Sequence, residues 1–162
     1  MAGVDRPTLI LVTMKLEGTQ HIAASREKVY AYFTDANFVS QCAPGVEKLE
    51  ELEPGKKFRI VVGVGFGAIK ATFNTDVEFV EKRLNEYARI KAIGKAPGSG
   101  ANVSADLTLS ATSASTTDLH WVADVSINGA IALVANRLMG SVAQKLSGEF
   151  FACAQGKIES AE

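Results

Sequence analysis

The glycine-rich segment Gly63-x-Gly65-x-Gly67 is the part of this chain that most resembles a site for phosphate chemistry. Glycine-rich loops hold phosphates when they join a strand to the start of a helix within a strand–helix–strand unit. Here the segment continues into a strand and no such unit surrounds it, so the pattern argues against a nucleotide site. We interpret it as a flexible, closely packed hairpin at the mouth of a cavity.

Two histidines, His21 and His120, are the next candidates, since imidazole binds metals and transfers protons. Both occupy outward-facing positions of predicted strands, without a carboxylate or cysteine at metal-ligand spacing. A serine–histidine–aspartate or cysteine–histidine centre assembles in space rather than in sequence, and no motif of the chain supports one. We therefore predict surface or structural roles for both histidines, no metal site and no catalytic residues.

The two cysteines, Cys42 and Cys153, lie far apart in the sequence and fit no metal-ligand spacing. The simplest interpretation is a pair of reduced thiols in an intracellular protein. Cys42 is expected to pack beside the turn at Pro44, and a reactive thiol there is the less favoured alternative.

Charge and hydropathy restrict the possible partners. The formal net charge is −1 and the pI is about 6.1, so no basic field favours nucleic acid. The N-terminal stretch lacks the long apolar run of a signal peptide, and no run approaches the roughly 18 apolar residues that a membrane span needs. These features predict a cytoplasmic protein without nucleic-acid partners.

The order of predicted elements indicates an α+β fold. A first strand over 14–23 precedes two short helices, over Ser25–Thr34 and from a cap at Asn37 to Gln41. About six strands follow, and then one long amphipathic helix from Gly129 to Ala161. That helix must bury its apolar face across the sheet, which is the helix-grip arrangement: a curved antiparallel sheet around a long C-terminal helix. We predict an N-terminal extension over 1–13 and one domain over 14–160.

The inner face of the predicted sheet has two unusual properties. It carries no charge, and it alternates large side chains with alanines such as Ala71, Ala92 and Ala123. Such a face can leave an apolar hollow that a ligand fills, or the helix can approach more closely and fill it; the pattern leaves both open. The predicted ligand-binding residues are Phe33, Val39, Val64, Phe66, Ile69, Ala71, Phe73, Ile90, Leu107, Trp121, Val125, Leu138, Val142, Leu146 and Phe150.

The long helix and the ends of the strands also suggest an outer docking surface. Phe38, Ile131 and Leu133, with Val39, Phe66 and Ile69, are expected to form an apolar tip that contacts a membrane or a partner. Arg137 lies near the start of the helix, where it either binds a ligand carbonyl or a lipid phosphate, or is simply a solvated charge. Gly140 and Gly148 are unfavourable within a helix and indicate close packing, ligand approach or a bend.

Several segments, in the right order and spacing, resemble the carbon monoxide dehydrogenase CoxG family. They are the strand with Gly18, the helix start Ser25–Val29, the stop Thr34-Asp35, the turn Cys42-x-Pro44-Gly45, the hairpin Val62–Ile69, and the closing Asn128-Gly129, Asn136-Arg137 and Phe150-Phe151. The resemblance covers about residues 14–160. It implies the START-like superfamily, whose members bind hydrophobic ligands, and a role beside molybdenum-containing carbon monoxide dehydrogenases and related hydroxylases at the cytoplasmic membrane.

The leading hypothesis is a non-enzymatic accessory protein without a cofactor of its own. It would carry an apolar ligand, an isoprenoid quinone or a lipid, and couple a molybdenum hydroxylase-type dehydrogenase to the membrane. Many members of the family look longer, so this chain, which ends at Glu162, is not expected to anchor itself by a tail. The alternatives are an interaction module with a filled cavity and, less favoured, an aromatase/cyclase-type enzyme, which would need acid–base groups inside the cavity.

Overall fold

A computed structural model describes residues 11–161, apart from the side chain of Phe66. The elements are β1 (Leu11–Ile22), α1 (Arg26–Phe33), α2 (Ala36–Cys42), β2 (Val46–Glu53), β3 (Lys57–Phe66), β4 (Ile69–Arg83), β5 (Tyr87–Ala96), β6 (Ser99–Ser113), β7 (Thr116–Gly129) and α3 (Ala130–Ser160). The seven described strands form one antiparallel sheet in the order β1-β7-β6-β5-β4-β3-β2. The predicted helix-grip fold is confirmed.

The main differences from the predicted elements concern their ends. β1 begins at Leu11, so the last three residues of the predicted extension belong to the sheet, while 1–10 lie outside the described residues. The loop predicted over 95–100 is a tight turn, because Ala96 pairs directly with Ser99. The cap of α2 is Asp35 and not Asn37: the Asp35 carboxylate accepts from the backbone N–H of Asn37 at 2.9 Å.

Helix α3 packs mainly against β1 and β7 and reaches across to β3. Its C-terminal half closes over a core that includes Phe33, Leu119 and Ile158, whereas its first turns close over a second core around Phe73 and Ile131. The far end of α3 is held by Glu159, whose carboxylate accepts from the backbone N–H of Ala23 at 2.9 Å. That hydrogen bond, with a second from Gln155, lowers the pKa of Glu159 from its usual value. Among the described helices, none is long and apolar enough to cross a membrane.

Two glycine–serine pairs lie within the middle of α3, which continues through both as a helix. They are Gly140-Ser141 and Ser147-Gly148, and each serine hydroxyl donates to a carbonyl of its own helix, Ser141 to Leu138 at 3.1 Å and Ser147 to Ala143 at 2.8 Å. Both glycines are exposed, and a Cβ added at Gly148 would meet no described atom within 4 Å. Close packing, one of the predicted reasons for these glycines, is therefore not the reason for Gly148.

Candidate ligand cavity between the sheet and the long helix

A cavity of about 460 Å³ lies between the inner face of the sheet and α3, bordered at either end by the two cores. Among the described residues that line it, none is ionisable. The lining residues are Leu16, Ala43, Pro44, Val46, Ile60, Val62, Val64, Phe73, Thr75, Ala92, Gly94, Ala101, Val103, Trp121, Ala123, Val125, Ile127, Met139, Val142, Ala143, Leu146, Ser147, Phe150 and Phe151. A neutral, largely apolar molecule suits such a space, because a buried charge without a partner is strongly unfavourable.

Small side chains on the strands are the reason that the space stays open. Ala92, Ala101 and Ala123 lie on the inner faces of β5, β6 and β7, where a larger side chain would reach towards α3. On the opposite side, Val142 and Leu146 face the sheet from α3 and stay only half-buried. The helix does not approach closely enough to fill the gap, so of the two possibilities that the sequence left open, the apolar hollow is observed.

Trp121, the only tryptophan of the chain, forms part of one wall. Its indole stacks on the ring of Phe151, with centroids 5.0 Å apart and an angle of 28° between the planes. On its other side lies Gly18, the residue that pairs with Trp121 across β1 and β7. The Nε1 atom is buried beside Gly18 without a hydrogen-bond partner among the described residues. Trp121 can therefore contact a ligand through its aromatic ring, but not by donating a hydrogen bond.

The missing side chain at Gly18 makes room for this indole. A Cβ at Gly18 would lie 2.9 Å from both Cζ2 and Nε1 of Trp121, closer than real contacts allow. We expect Gly18→Val to push the indole towards the cavity, to lower the free energy of unfolding by about 1–3 kcal/mol and to shift the tryptophan emission. Thermal unfolding and emission spectra test this, with Gly65→Ala as the control, since a Cβ there meets no described atom within 4 Å. An unshifted emission spectrum in folded Gly18→Val would contradict the placement of the indole.

Two hydroxyls, those of Thr75 and Ser147, are the side-chain oxygens of the lining. Ser147 donates firmly to the carbonyl of Ala143 at 2.8 Å, whereas the hydroxyl of Thr75 is 3.4 Å from the carbonyl of Phe73. A bond of that length is weak, so the hydroxyl of Thr75 can turn to a better acceptor. Thr75 is therefore the lining residue best suited to hold one polar atom of an otherwise apolar molecule.

A short segment, Cys42–Gly45, closes one side of the cavity, and we call it the strap. At one end Cys42 forms a disulfide with Cys153 of α3, with Cα atoms 5.4 Å apart. At the other end the carbonyl of Gly45 accepts from the backbone N–H of Gly63 on β3 at 2.8 Å. Gly45 has φ +82°, and a Cβ there would lie 2.1 Å from the carbonyl oxygen of Gly63, so this approach needs glycine.

The prediction of two reduced thiols is therefore wrong for this structure. A sequence separation of 111 positions hid the proximity of Cys42 and Cys153, which arises only when α2 packs against α3. Spacing along the chain could exclude a metal motif but could not exclude this pairing.

The sequence of residues 18–159 matches the family model for CoxG, the G subunit of carbon monoxide dehydrogenase. The chain belongs to the CoxG family. A comparison with curated proteins finds no match.

Solved structures show the same fold in other proteins. A conserved protein from Geobacillus kaustophilus superposes on this CoxG-family protein with a TM-score of 0.81 at 21% identity, covering 90% of this chain and 95% of that one. The Zhui aromatase/cyclase from Streptomyces sp. R1128 gives a TM-score of 0.70 at 19% identity, covering 91% and 94%. A START superfamily protein from Mycobacterium smegmatis gives 0.65 at 16% identity, covering 90% and 97%. At these identities the likeness shows the fold alone.

The structure brings together about half of the residues predicted to bind a ligand in this CoxG-family protein. Those that line the cavity are Val64, Phe73, Trp121, Val125, Val142, Leu146 and Phe150. Those that lie elsewhere are Phe33, Val39, Ile69, Ala71, Ile90, Leu107 and Leu138, and the side chain of Phe66 is not among those described. Phe33 and Leu107 are buried in the core under α1, and Ile69 is 45% exposed at the β3–β4 turn. The prediction that these three side chains line the cavity is therefore wrong. That the lining residues bind a ligand stays a prediction.

Sequence reasoning missed other parts of the lining of this CoxG-family protein. Ala92, Val103 and Ala123 share the inward strand parity that the sequence showed, so including every residue of that parity could have found them. Ala43 and Pro44 lie on the strap, outside any helix or strand, so no hydrophobic periodicity could indicate that they face the cavity.

Two residues predicted to form the apolar tip are buried instead. Phe38 is 7% exposed because its ring packs edge-on against Tyr32, with centroids 4.7 Å apart. Ile131 is 8% exposed because its backbone N–H donates to Ser99 at 2.9 Å, which holds the first turn of α3 against the β5–β6 turn. Leu133 is exposed, at 63%, and so is Arg137 one turn later.

The two histidines lie on the outer face of β1 and β7. His21 contacts the carboxylate of Asp118 at 2.6 Å, and His120 contacts that of Glu17 at 3.1 Å. Among the described residues, no cluster of histidine, cysteine and carboxylates could hold a metal ion. The predicted surface placement of the histidines agrees with these exposed cross-strand pairs.

The outer face of the sheet also carries an open trough of about 630 Å³. It crosses β1, β7, β6 and β5, and its side chains include Lys15, Lys91, Asp124 and Ser104. Because charged and polar side chains line this trough, whereas the lining of the cavity under α3 is almost wholly apolar, we place the candidate site in that cavity.

Proposed function

We propose that this protein is a non-enzymatic accessory protein of a molybdenum carbon monoxide dehydrogenase-type enzyme, and that its cavity binds an isoprenoid quinone or a similarly neutral lipid. The observation that carries the proposal is the cavity of about 460 Å³ without an ionisable residue in its described lining. Membership of the CoxG family supports the link to such an enzyme. A cytoplasmic enzyme that delivers its electrons to quinone in the membrane needs a route between the two, and a carrier of quinone would supply that route.

The size of the cavity restricts how such a ligand binds. A cavity of about 460 Å³ lies towards the lower end of the roughly 300–1,000 Å³ range of pockets that bury drug-sized ligands. This volume suits a quinone ring with its first substituents, and is much less than a long polyprenyl chain needs. The ring would therefore enter, with a carbonyl near the hydroxyl of Thr75 and its face near Trp121, while most of the tail stays outside. A fatty acid fits less well, because its carboxylate would meet no cation in the described lining.

The partner and the membrane belong to the same proposal. Leu133 and Ile69 are exposed apolar residues, on the first turns of α3 and at the β3–β4 turn. These two elements lie together, since a Cβ at Gly67 in that turn would be 3.3 Å from Cδ1 of Leu138. With Arg137 nearby on α3 to meet a lipid phosphate, this surface would dock the protein on the inner face of the cytoplasmic membrane.

Replacing Leu133 and Ile69 together by aspartate should weaken binding to anionic liposomes by about tenfold or more, because each leucine-sized side chain that enters an apolar layer contributes roughly 1.5–3 kcal/mol. Co-sedimentation with vesicles of phosphatidylcholine and phosphatidylglycerol measures the effect. Leu84→Asp/Ile93→Asp is the control matched in charge: Leu84 is 74% exposed, just after β4, and Ile93 is 52% exposed on β5. Equal losses in both variants would show that the docking surface is placed wrongly.

The direct test of the ligand is organic extraction of the protein purified from its own host, followed by mass spectrometry for quinones and lipids. We expect a stoichiometric isoprenoid quinone. Because Trp121 is the only tryptophan and lies in the cavity wall, added menadione should also quench its emission saturably. An empty extract together with no saturable quenching would favour the interaction module, in which the surface and not the cavity is used.

An aromatase/cyclase-type activity is the remaining alternative. The structural likeness to such an enzyme extends to the fold, but general acid–base chemistry needs an ionisable group beside the substrate. The described lining offers the hydroxyls of Thr75 and Ser147 and no such group. We therefore favour binding over catalysis.

A further inference from the structure

We infer that the Cys42–Cys153 disulfide is a redox-controlled latch that sets how fast ligand enters and leaves the cavity. The inference rests on the proposed function, because it concerns access to the same cavity. The starting point is the position of the bond, which joins the strap to α3 where the strap forms part of the cavity wall.

The strap crosses from the helix to the sheet. Cys42 is followed directly by Ala43 and Pro44, which line the cavity, and then by Gly45, which is hydrogen-bonded to Gly63 of β3. On the helix, Cys153 follows Phe150 by three residues, so the bond lies about one turn from a residue of the cavity wall. The disulfide thus fixes the Cys42 end of the strap covalently to α3. The Gly45 end is fixed to β3 by its hydrogen bond with Gly63.

Without the bond, no hydrogen bond among the described residues joins the strap itself to α3. Helix α2 keeps its own ties, because Gln41 accepts a hydrogen bond from Lys157 at 3.2 Å and Phe38 is buried in the same core as Phe151 of α3. The exposed hydrogen bond contributes little to stability, so the apolar core is what holds α2 in place. Reduction therefore leaves the strap, between α2 and Gly45, free to move away from α3 and opens this side of the cavity.

The chemistry is thiol–disulfide exchange with a cellular dithiol. Cys42 is buried whereas Cys153 is only partly buried, so the incoming thiolate attacks the sulfur of Cys153 and Cys42 departs as the thiolate. The second thiol of the donor then releases Cys153. Two electrons and two protons pass to the cysteine pair, and the donor is left as a disulfide. In a reducing compartment such bonds are mostly transient or sensory, which is the behaviour expected of a latch.

The test measures release of N-phenyl-1-naphthylamine, a neutral fluorescent probe, by stopped-flow competition in oxidised protein and after reduction by a phosphine. The phosphine is chosen because it reduces the disulfide without forming a mixed disulfide with the protein. We expect release to become about tenfold faster on reduction, with little change in the circular dichroism spectrum. The double variant Cys42→Ser/Cys153→Ser should release quickly with or without phosphine. Equal rates in oxidised and reduced protein would overturn the latch, and so would loss of the folded spectrum on reduction, which would make the bond a structural staple.

A second measurement does not need a ligand. Hydrogen–deuterium exchange of the strap and of 143–151 should become faster on reduction, while the strands β5 and β6 stay protected. If the probe does not bind at all, the proposed function fails, and the exchange pattern still decides the latch. If the probe binds but neither release nor exchange responds to reduction, the latch alone is refuted.

Discussion

Removing the Cys42–Cys153 disulfide should lower the melting temperature of this protein by about 10 °C. The bond joins residues separated by 111 positions, and closing a loop of about 100 residues restricts the unfolded chain by up to ~4.7 kcal/mol, with ~2–4 kcal/mol typical of measured bonds. For a chain of this length each kcal/mol shifts the melting temperature by about 2–4 °C. The loss is expected even though few other contacts of α2 and α3 change.

Thermal unfolding followed by circular dichroism measures this effect. The wild-type protein without reductant is compared with the same protein after phosphine treatment and with Cys42→Ser/Cys153→Ser. We expect the last two to melt together, well below the first, and the oxidised protein to show no titratable thiol. Free thiols in the purified oxidised protein, or identical melting of all three samples, would mean that the bond does not form in solution.

Filling the cavity with a side chain should reduce ligand affinity by about a hundredfold, or ~2.7 kcal/mol, in the variant Ala123→Phe. Ala123 lies on β7 in the cavity floor, between Leu16 of β1 and Ala105 of β6. A phenyl ring at this position occupies the space that the ligand needs. Overpacking normally destabilises a core, but here empty volume receives the ring, so the stability of the ligand-free protein should hold or rise.

Titration of N-phenyl-1-naphthylamine and of menadione into the variant measures the loss, and thermal unfolding checks the fold. Ala152→Phe is the matched control, because Ala152 is an exposed residue on α3 and the substitution adds the same ring outside the cavity. If Ala123→Phe stays folded and binds both probes as tightly as the wild type, the ligand lies elsewhere and the proposed function must be abandoned.

The inner face of the sheet was predictable because strand parity fixes which side chains face α3. Val64, Phe73, Trp121 and Val125 follow this rule and line the cavity. Thr75 follows the same parity and also lines the cavity, but it was not predicted because the prediction considered only apolar side chains.

The rotation of the helix was not predictable in the same way. Around its middle α3 is apolar over a wide arc, so the sequence could not decide between Leu138, which lies outside the lining, and Met139, which lies within it. The strap and the disulfide depend on how α2 packs against α3, which no local pattern encodes. The burial of Phe38 and Ile131 likewise depends on tertiary contacts with Tyr32 and Ser99.

The two glycine–serine pairs of α3 have a consequence for the range of molecules that this protein accepts. Sharp bends in helices concentrate at such pairs, and here they flank the stretch that carries Val142 and Leu146 above the cavity. We expect the segment 142–146 to move outwards as a unit by bending at these two pairs, while the helix on either side stays intact. We therefore expect ligands of different bulk to be accommodated by outward displacement of this segment rather than by remodelling of the sheet, with about 460 Å³ as the volume before any ligand binds.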